Sequence, residues 1–68
     1  MFYTYIIQSE KDGRNYTGFT ENLKSRLAAH NAGEVDSTAK RRPLKLIYYE
    51  ACLCKSDAQR RERYFKTH

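Results

Sequence analysis

Five residues of this chain have types and spacings that could do chemistry together: Tyr5, Tyr16, Arg26, His30 and Glu62. Arg26 and His30 are four residues apart, one turn of a helix whose apolar stripe is Leu23 and Leu27. At 100° per residue His30 falls on that stripe and Arg26 borders it. Glu62 falls between Ala58 and Phe65 on the inward face of a second helix, where a carboxylate is costly unless a cation or metal pairs with it. Tyrosines on neighbouring strands complete the set. An arginine, a histidine, tyrosines and a carboxylate converging on a basic domain are the parts of a phosphate-ester site. A structural alternative stands beside this reading: Arg26 snorkelling, His30 as a satisfied half-core histidine, and Glu62 in a salt bridge to Arg26.

The stretch "NYTGFT", residues 15–20, sets the second question. A tyrosine two residues before a glycine is a core aromatic before a bend, or Gly18 clears space for a ligand to approach the Tyr16 hydroxyl.

The elements that must position these groups are legible in outline. "FYTYIIQS" (Phe2 to Ser9) has strand propensity, with Phe2, Thr4 and Ile6 on one face and Tyr3, Tyr5 and Ile7 on the other. An Asp-Gly signal in "EKDGRN" predicts an antiparallel return through "NYTGF". Thr20 is expected to cap a helix from about Glu21 to Asn31 that stops at Gly33. A polar loop, "GEVDSTAKRRP", ends in the basic cluster Lys40, Arg41 and Arg42. A third strand, "LKLIYYEA", follows Pro43; "CLCKS" is a connection, and Ser56 with Gln59 forms a capping-box pattern for a helix running to the end of the chain. The fold class is therefore α+β: a small, three-stranded, mainly antiparallel sheet flanked by helices in the order β-β-α-β-α.

At 68 residues the chain is one domain at most, with a small core. Thirteen Lys and Arg against eight Asp and Glu give a net charge of +5, which favours a polyanion as partner. Cys52 and Cys54 are the only cysteines. Two residues apart on a strand, their disulfide would be strained, and no further Cys or His pair completes a metal site. They are expected to be buried or half-buried free thiols of a cytoplasmic protein. No apolar run reaches transmembrane length and no signal-peptide pattern precedes "MFYTYII", so no membrane role is expected.

These motifs resemble the GIY-YIG nuclease superfamily, especially its small stand-alone bacterial members, which are similar to the nuclease domain of the DNA excision-repair machinery. "YTY" at Tyr3 to Tyr5 is similar to the first motif, with Tyr3-Thr4 where Gly-Ile would stand. "YTG" at Tyr16 to Gly18 is similar to the second, with Thr17 where isoleucine is commoner. "NLKSRLAAHNAG" resembles the family helix, placing its arginine at Arg26 and its histidine or tyrosine at His30. "TAKRRPLKLIYYEA" resembles the next loop and strand, and "DAQRRERYFKT" the helix whose glutamate is Glu62. The resemblance covers essentially all of the chain as a single domain. Family domains usually continue past the glutamate helix, so residues 1–68 are expected to lack that C-terminal portion.

The resemblance implies an endonuclease-type domain that hydrolyses phosphodiester bonds with Mg²⁺ or Mn²⁺, in DNA repair or processing. The implied partner is nucleic acid, DNA ahead of RNA, with the protein a monomer. Tyr16 would accept a proton from water, helped by Arg26, His30 and the metal, because a free phenol with a pKa near 10 is a poor base. Glu62 would be the metal ligand, one carboxylate sufficing for a largely hydrated Mg²⁺. Arg26 would hold a non-bridging oxygen, Tyr5 would orient the water or Tyr16, and His30 would position the phosphate or accept a proton. Gly18 would let the phosphate approach, and Lys40, Arg41 and Arg42 would bind flanking phosphates. The five site residues are then expected to line one shallow concavity. The rival is a catalytically weak or inactive nucleic-acid-binding module on the same fold.

Overall fold

A computed structural model describes residues 1–67. Three strands, β1 (Phe2–Ser9), β2 (Asn15–Thr20) and β3 (Leu44–Cys52), form one antiparallel sheet in the order β2-β1-β3. The helices are α1 (Leu23–Asn31) and α2 (Lys55–Thr67), with a short 3-10 turn over Ala39–Arg41. The β-β-α-β-α order expected from the sequence is the order found.

β1 is the central strand, so both of its edges are paired. Successive residues point to opposite faces, and Thr4 and Tyr5 identify what covers each. The Thr4 hydroxyl donates to the Ala58 carbonyl of α2 at 2.6 Å, while the Tyr5 hydroxyl meets His30 of α1 at 2.9 Å. The two helices therefore lie on opposite sides of the sheet. On the α1 side Tyr5, Ile7 and Leu44 are buried, with Tyr16, Leu23, Leu27 and Leu46 packed against them. Leu23 and Leu27 are the stripe that the helical period marks out. On the α2 side Ala58 is fully buried, Phe2 stacks on Phe19, and Tyr48 meets Phe65 edge-on.

β3 carries one extra residue. Ile6 pairs with Tyr48 and Ile7 with Leu46, leaving Ile47 in a bulge. The bulge keeps Leu46 on the α1 face below Ile47 while Tyr48 and Glu50 face α2, so one strand serves both cores.

The helix boundaries differ from expectation in instructive ways. α1 begins at Leu23 because Asn22 caps it, its side chain accepting from the Ser25 N–H at 3.0 Å. Thr20, expected as the cap, instead accepts from the Asn22 N–H in a tight turn at 3.1 Å. Gly33 closes α1 with φ +80°, a left-handed conformation that side chains rarely tolerate. Asn31 then joins α1 to β3 through two bonds, accepting from the Leu44 N–H and donating to its carbonyl. β3 runs through Cys52, one residue into the expected connection, and α2 starts at Lys55. The Cys54 carbonyl accepts from the Ala58 N–H, so Ser56 lies inside the first turn and is not the cap. Cys52 is a half-buried free thiol, as expected, but Cys54 is exposed. The expected extension of α2 to His68 lies outside the described residues. No helix among the described residues is long and apolar enough to cross a membrane.

Candidate active site

A hollow of about 880 Å³ wraps around β2. Tyr16 and Gly18 line it from the α1 face, Thr17 and Phe19 from the α2 face, and both helices add side chains. Tyr5, Tyr16, Arg26, His30 and Glu62 all line it. The concavity is not confined to one sheet face, however. Glu62 enters it from the helix on the far side of the sheet.

Tyr5 is the centre of the α1 side. It pairs across the sheet with Gly18, and its ring end occupies the space a side chain at position 18 would take. A Cβ there would overlap the Tyr5 Cζ and hydroxyl. This corrects the expectation that Gly18 clears room for a phosphate: the room is filled by the chain's own phenol.

From Tyr5 a line of hydrogen bonds runs through α1 into the following loop. Arg26 Nε donates to the Tyr5 hydroxyl at 3.4 Å, His30 Nε2 lies 2.9 Å from the same oxygen, and His30 Nδ1 lies 2.7 Å from Thr38 Oγ1. Tyr5 is 2% exposed, His30 5% and Thr38 1%, so apart from Arg26 this line is closed to water. Burial, and then the positive charge of Arg26, lower the His30 pKa below its ordinary value. The imidazole is therefore neutral at pH 7, one nitrogen donating and the other accepting.

Tyr16 packs against the core from β2, and its hydroxyl makes no hydrogen bond with the described residues. Glu62 is neither unpaired nor bonded to Arg26. Its carboxylate pairs with Lys66 one turn on, at 3.2 Å, with the Glu62 side chain 22% exposed. The inward cost foreseen for Glu62 is thus avoided by partial exposure and a neighbouring cation.

The basic cluster is turned to other work. Arg41 pairs with Asp12 at 3.2 Å, Arg42 Nε donates to the Ala39 carbonyl at 2.8 Å, and the Arg42 guanidinium lies over Gly33. Neither these two nor Lys40 lines the hollow. Positive charge reaches it from Arg26 and Lys66 instead. Lys66 was legible as the i+4 partner of Glu62. Thr38 gave no signal, because a threonine in a polar loop has no period to set it apart.

Among the described residues Glu62 is the one carboxylate in the hollow, and they contain no group of three or more His, Cys, Asp or Glu able to hold a metal. That donor set fits a hydrated Mg²⁺ or Mn²⁺ that takes one carboxylate and completes its shell with water and substrate phosphate. It does not fit a caged ion.

The family model for the GIY-YIG catalytic domain matches residues 1–68. A UPF0213 protein of Staphylococcus haemolyticus is 47% identical over 66 residues, covering 96% of this chain and 79% of the relative. UPF0213 proteins of Clostridium perfringens and Lacticaseibacillus paracasei are 46% and 42% identical, with 71% and 73% of their lengths covered. Of this chain, 97% and 96% are covered in turn. No solved structure matches the chain.

Proposed function

The chain belongs to the GIY-YIG catalytic domain family, and from that premise we propose that it is a metal-dependent endonuclease acting on DNA in repair or processing in the cytoplasm. The observation that supports this most is the meeting, in one hollow, of the bonded pair Tyr5–His30 with Arg26, Tyr16 and Glu62. A phosphodiester in the hollow would lie between Arg26 and Lys66, whose charges offset its own. Hydrolysis requires a proton to leave the attacking water and charge on the phosphoryl oxygens to be stabilised. The sequence expectation assigns the proton to Tyr16, and the unengaged hydroxyl of Tyr16 in the hollow supports that role. Tyr5, closed to water, would instead be held by its hydrogen bonds to His30 and Arg26 and so fix Arg26 against the phosphate. Glu62 would hold the cation, which when bound would neutralise charge on the phosphate and the leaving oxygen.

The ion pair between Glu62 and Lys66 favours a second reading, a nucleic-acid-binding module in which the glutamate serves only the helix. Cleavage of duplex, single-stranded and branched DNA, and of RNA, with and without Mg²⁺ or Mn²⁺, decides between them. On the first reading Glu62→Gln abolishes metal-dependent cleavage and leaves metal-free binding nearly intact. Its stability changes by no more than about 0.5 kcal/mol, the worth of an exposed i,i+4 pair. Metal-independent binding by the wild type with no cleavage of any substrate would establish the second.

A further inference from the structure

We infer that Thr38 is a positioning residue of this site: it holds His30 in the tautomer protonated at Nδ1, so that Nε2 is free to accept the hydrogen bond from Tyr5. The inference rests on the reading of the hollow as a nuclease site for its functional consequence, but not for its geometry.

Two assignments of the buried protons are possible. In one, Thr38 donates to His30 Nδ1 and His30 Nε2–H donates to Tyr5. The Tyr5 oxygen would then accept from both His30 and Arg26, since an arginine can only donate. The Tyr5 proton would have no acceptor among the described residues, on a side chain 2% exposed. A buried donor left unmade is costly. In the other assignment every donor has a partner. Arg26 donates to Tyr5, Tyr5 to His30 Nε2, His30 Nδ1–H to Thr38 Oγ1, and Thr38 to the Val35 carbonyl at 3.5 Å. The last contact is long, but it gives Thr38 an acceptor so that its oxygen can receive the imidazole proton.

The loop backbone places Thr38 for this purpose. Its N–H donates to the Val35 carbonyl at 3.1 Å and its carbonyl accepts from Arg41 at 2.9 Å, so the residue is held on both sides. The polar loop after α1 thus reaches back to the histidine in that helix's last turn.

Imidazole ¹⁵N shifts of the full chain report the tautomer directly. The chain has two histidines, and loss of one set of signals in His30→Gln assigns the other. In the wild type His30 should be protonated at Nδ1. Thr38→Val, which keeps the shape and removes the hydroxyl, should move it to the Nε2-protonated form or a mixture, and Thr38→Ser should restore Nδ1. Where wild-type cleavage is measurable, Thr38→Val should lower kcat about tenfold with KM little changed, and Thr38→Ser should recover it. A wild-type His30 protonated at Nε2 overturns the inference even if Thr38→Val fails to fold, and so does a folded Thr38→Val that keeps Nδ1–H. Absence of wild-type cleavage alongside the expected tautomers would refute the nuclease reading while the role of Thr38 in setting the tautomer stands.

Discussion

The two faces of this small sheet are held by different physics. On the α1 face a line of buried polar groups runs from Tyr5 through His30 to Thr38. On the α2 face the comparable connection is half-buried and open to solvent on one side. Glu50 of β3 accepts two bonds from Arg61 at 2.9 and 2.7 Å and a third from the Tyr48 hydroxyl at 2.7 Å, with Arg61 lying over the rings of Tyr64 and Phe65. Buried polar groups are intolerant because each lost partner leaves another unsatisfied. Exposed ion pairs tolerate loss because water replaces the partner. The candidate chemistry is concentrated on the intolerant face, while the tolerant face supplies the helix that delivers Glu62.

The sharpest way to break that contrast is Gly18→Ala. The added methyl group overlaps the end of the Tyr5 ring, which burial and its bonds to His30 and Arg26 hold in place. Forcing a group into a packed site costs about 1–3 kcal/mol, which in a domain of this size lowers the melting temperature by roughly 4–8 °C for each kcal/mol. Thermal melts of Gly18→Ala beside Gly18→Ala/Tyr5→Leu test the cause. The double variant should lose less than the sum of the singles, because removing the ring relieves the overlap. Additive losses would show that the strain lies elsewhere.

A smaller effect is expected from pH. The His30 pKa is lowered in the folded state, by burial first and the Arg26 charge second. Below the ordinary histidine value near 6.5 the unfolded chain takes up a proton that the folded chain resists, so stability falls as pH drops from about 7 towards 5. Above the unfolded value both states are neutral and this contribution is flat. Melting temperatures across that range should show the slope in the wild type and much less of it in His30→Gln. An equal slope in both would detach it from this face.

The smallest effect is expected on the other face. Arg61→Gln removes two bonds to Glu50, whose pKa is lowered first by Arg61 and then by Tyr48. Because water reaches this half-buried pair, its loss should lower the melting temperature by less than half the Gly18→Ala change. The difference from wild type should shrink further in 1 M salt. A loss as large as that of Gly18→Ala would put the two faces on one footing.

Much of this molecule was open to reading from the sequence, for reasons of period and local chemistry. The strand propensity of Phe2 to Ser9, the Asp-Gly turn, the Leu23–Leu27 stripe and Gly33 are local signals, and they specify β-β-α-β-α without reference to partners. The same periodicity placed His30 inward, Arg26 beside it, and Glu62 between Ala58 and Phe65. What a local signal cannot carry is which group occupies a space or takes a proton. Gly18 is empty of side chain in any reading, and only the pairing of Tyr5 with it across the sheet decides that a phenol fills the gap. Arg41 and Arg42 are cationic in any reading, and only the fold ties them to Asp12 and to the Ala39 carbonyl, away from the hollow. Thr38 is one loop threonine among polar neighbours until the chain returns to bring its hydroxyl within 2.7 Å of His30. Local sequence sets backbone conformation and the faces of helices and strands; distances between residues far apart in the chain belong to tertiary packing, and the partners in this site are set there.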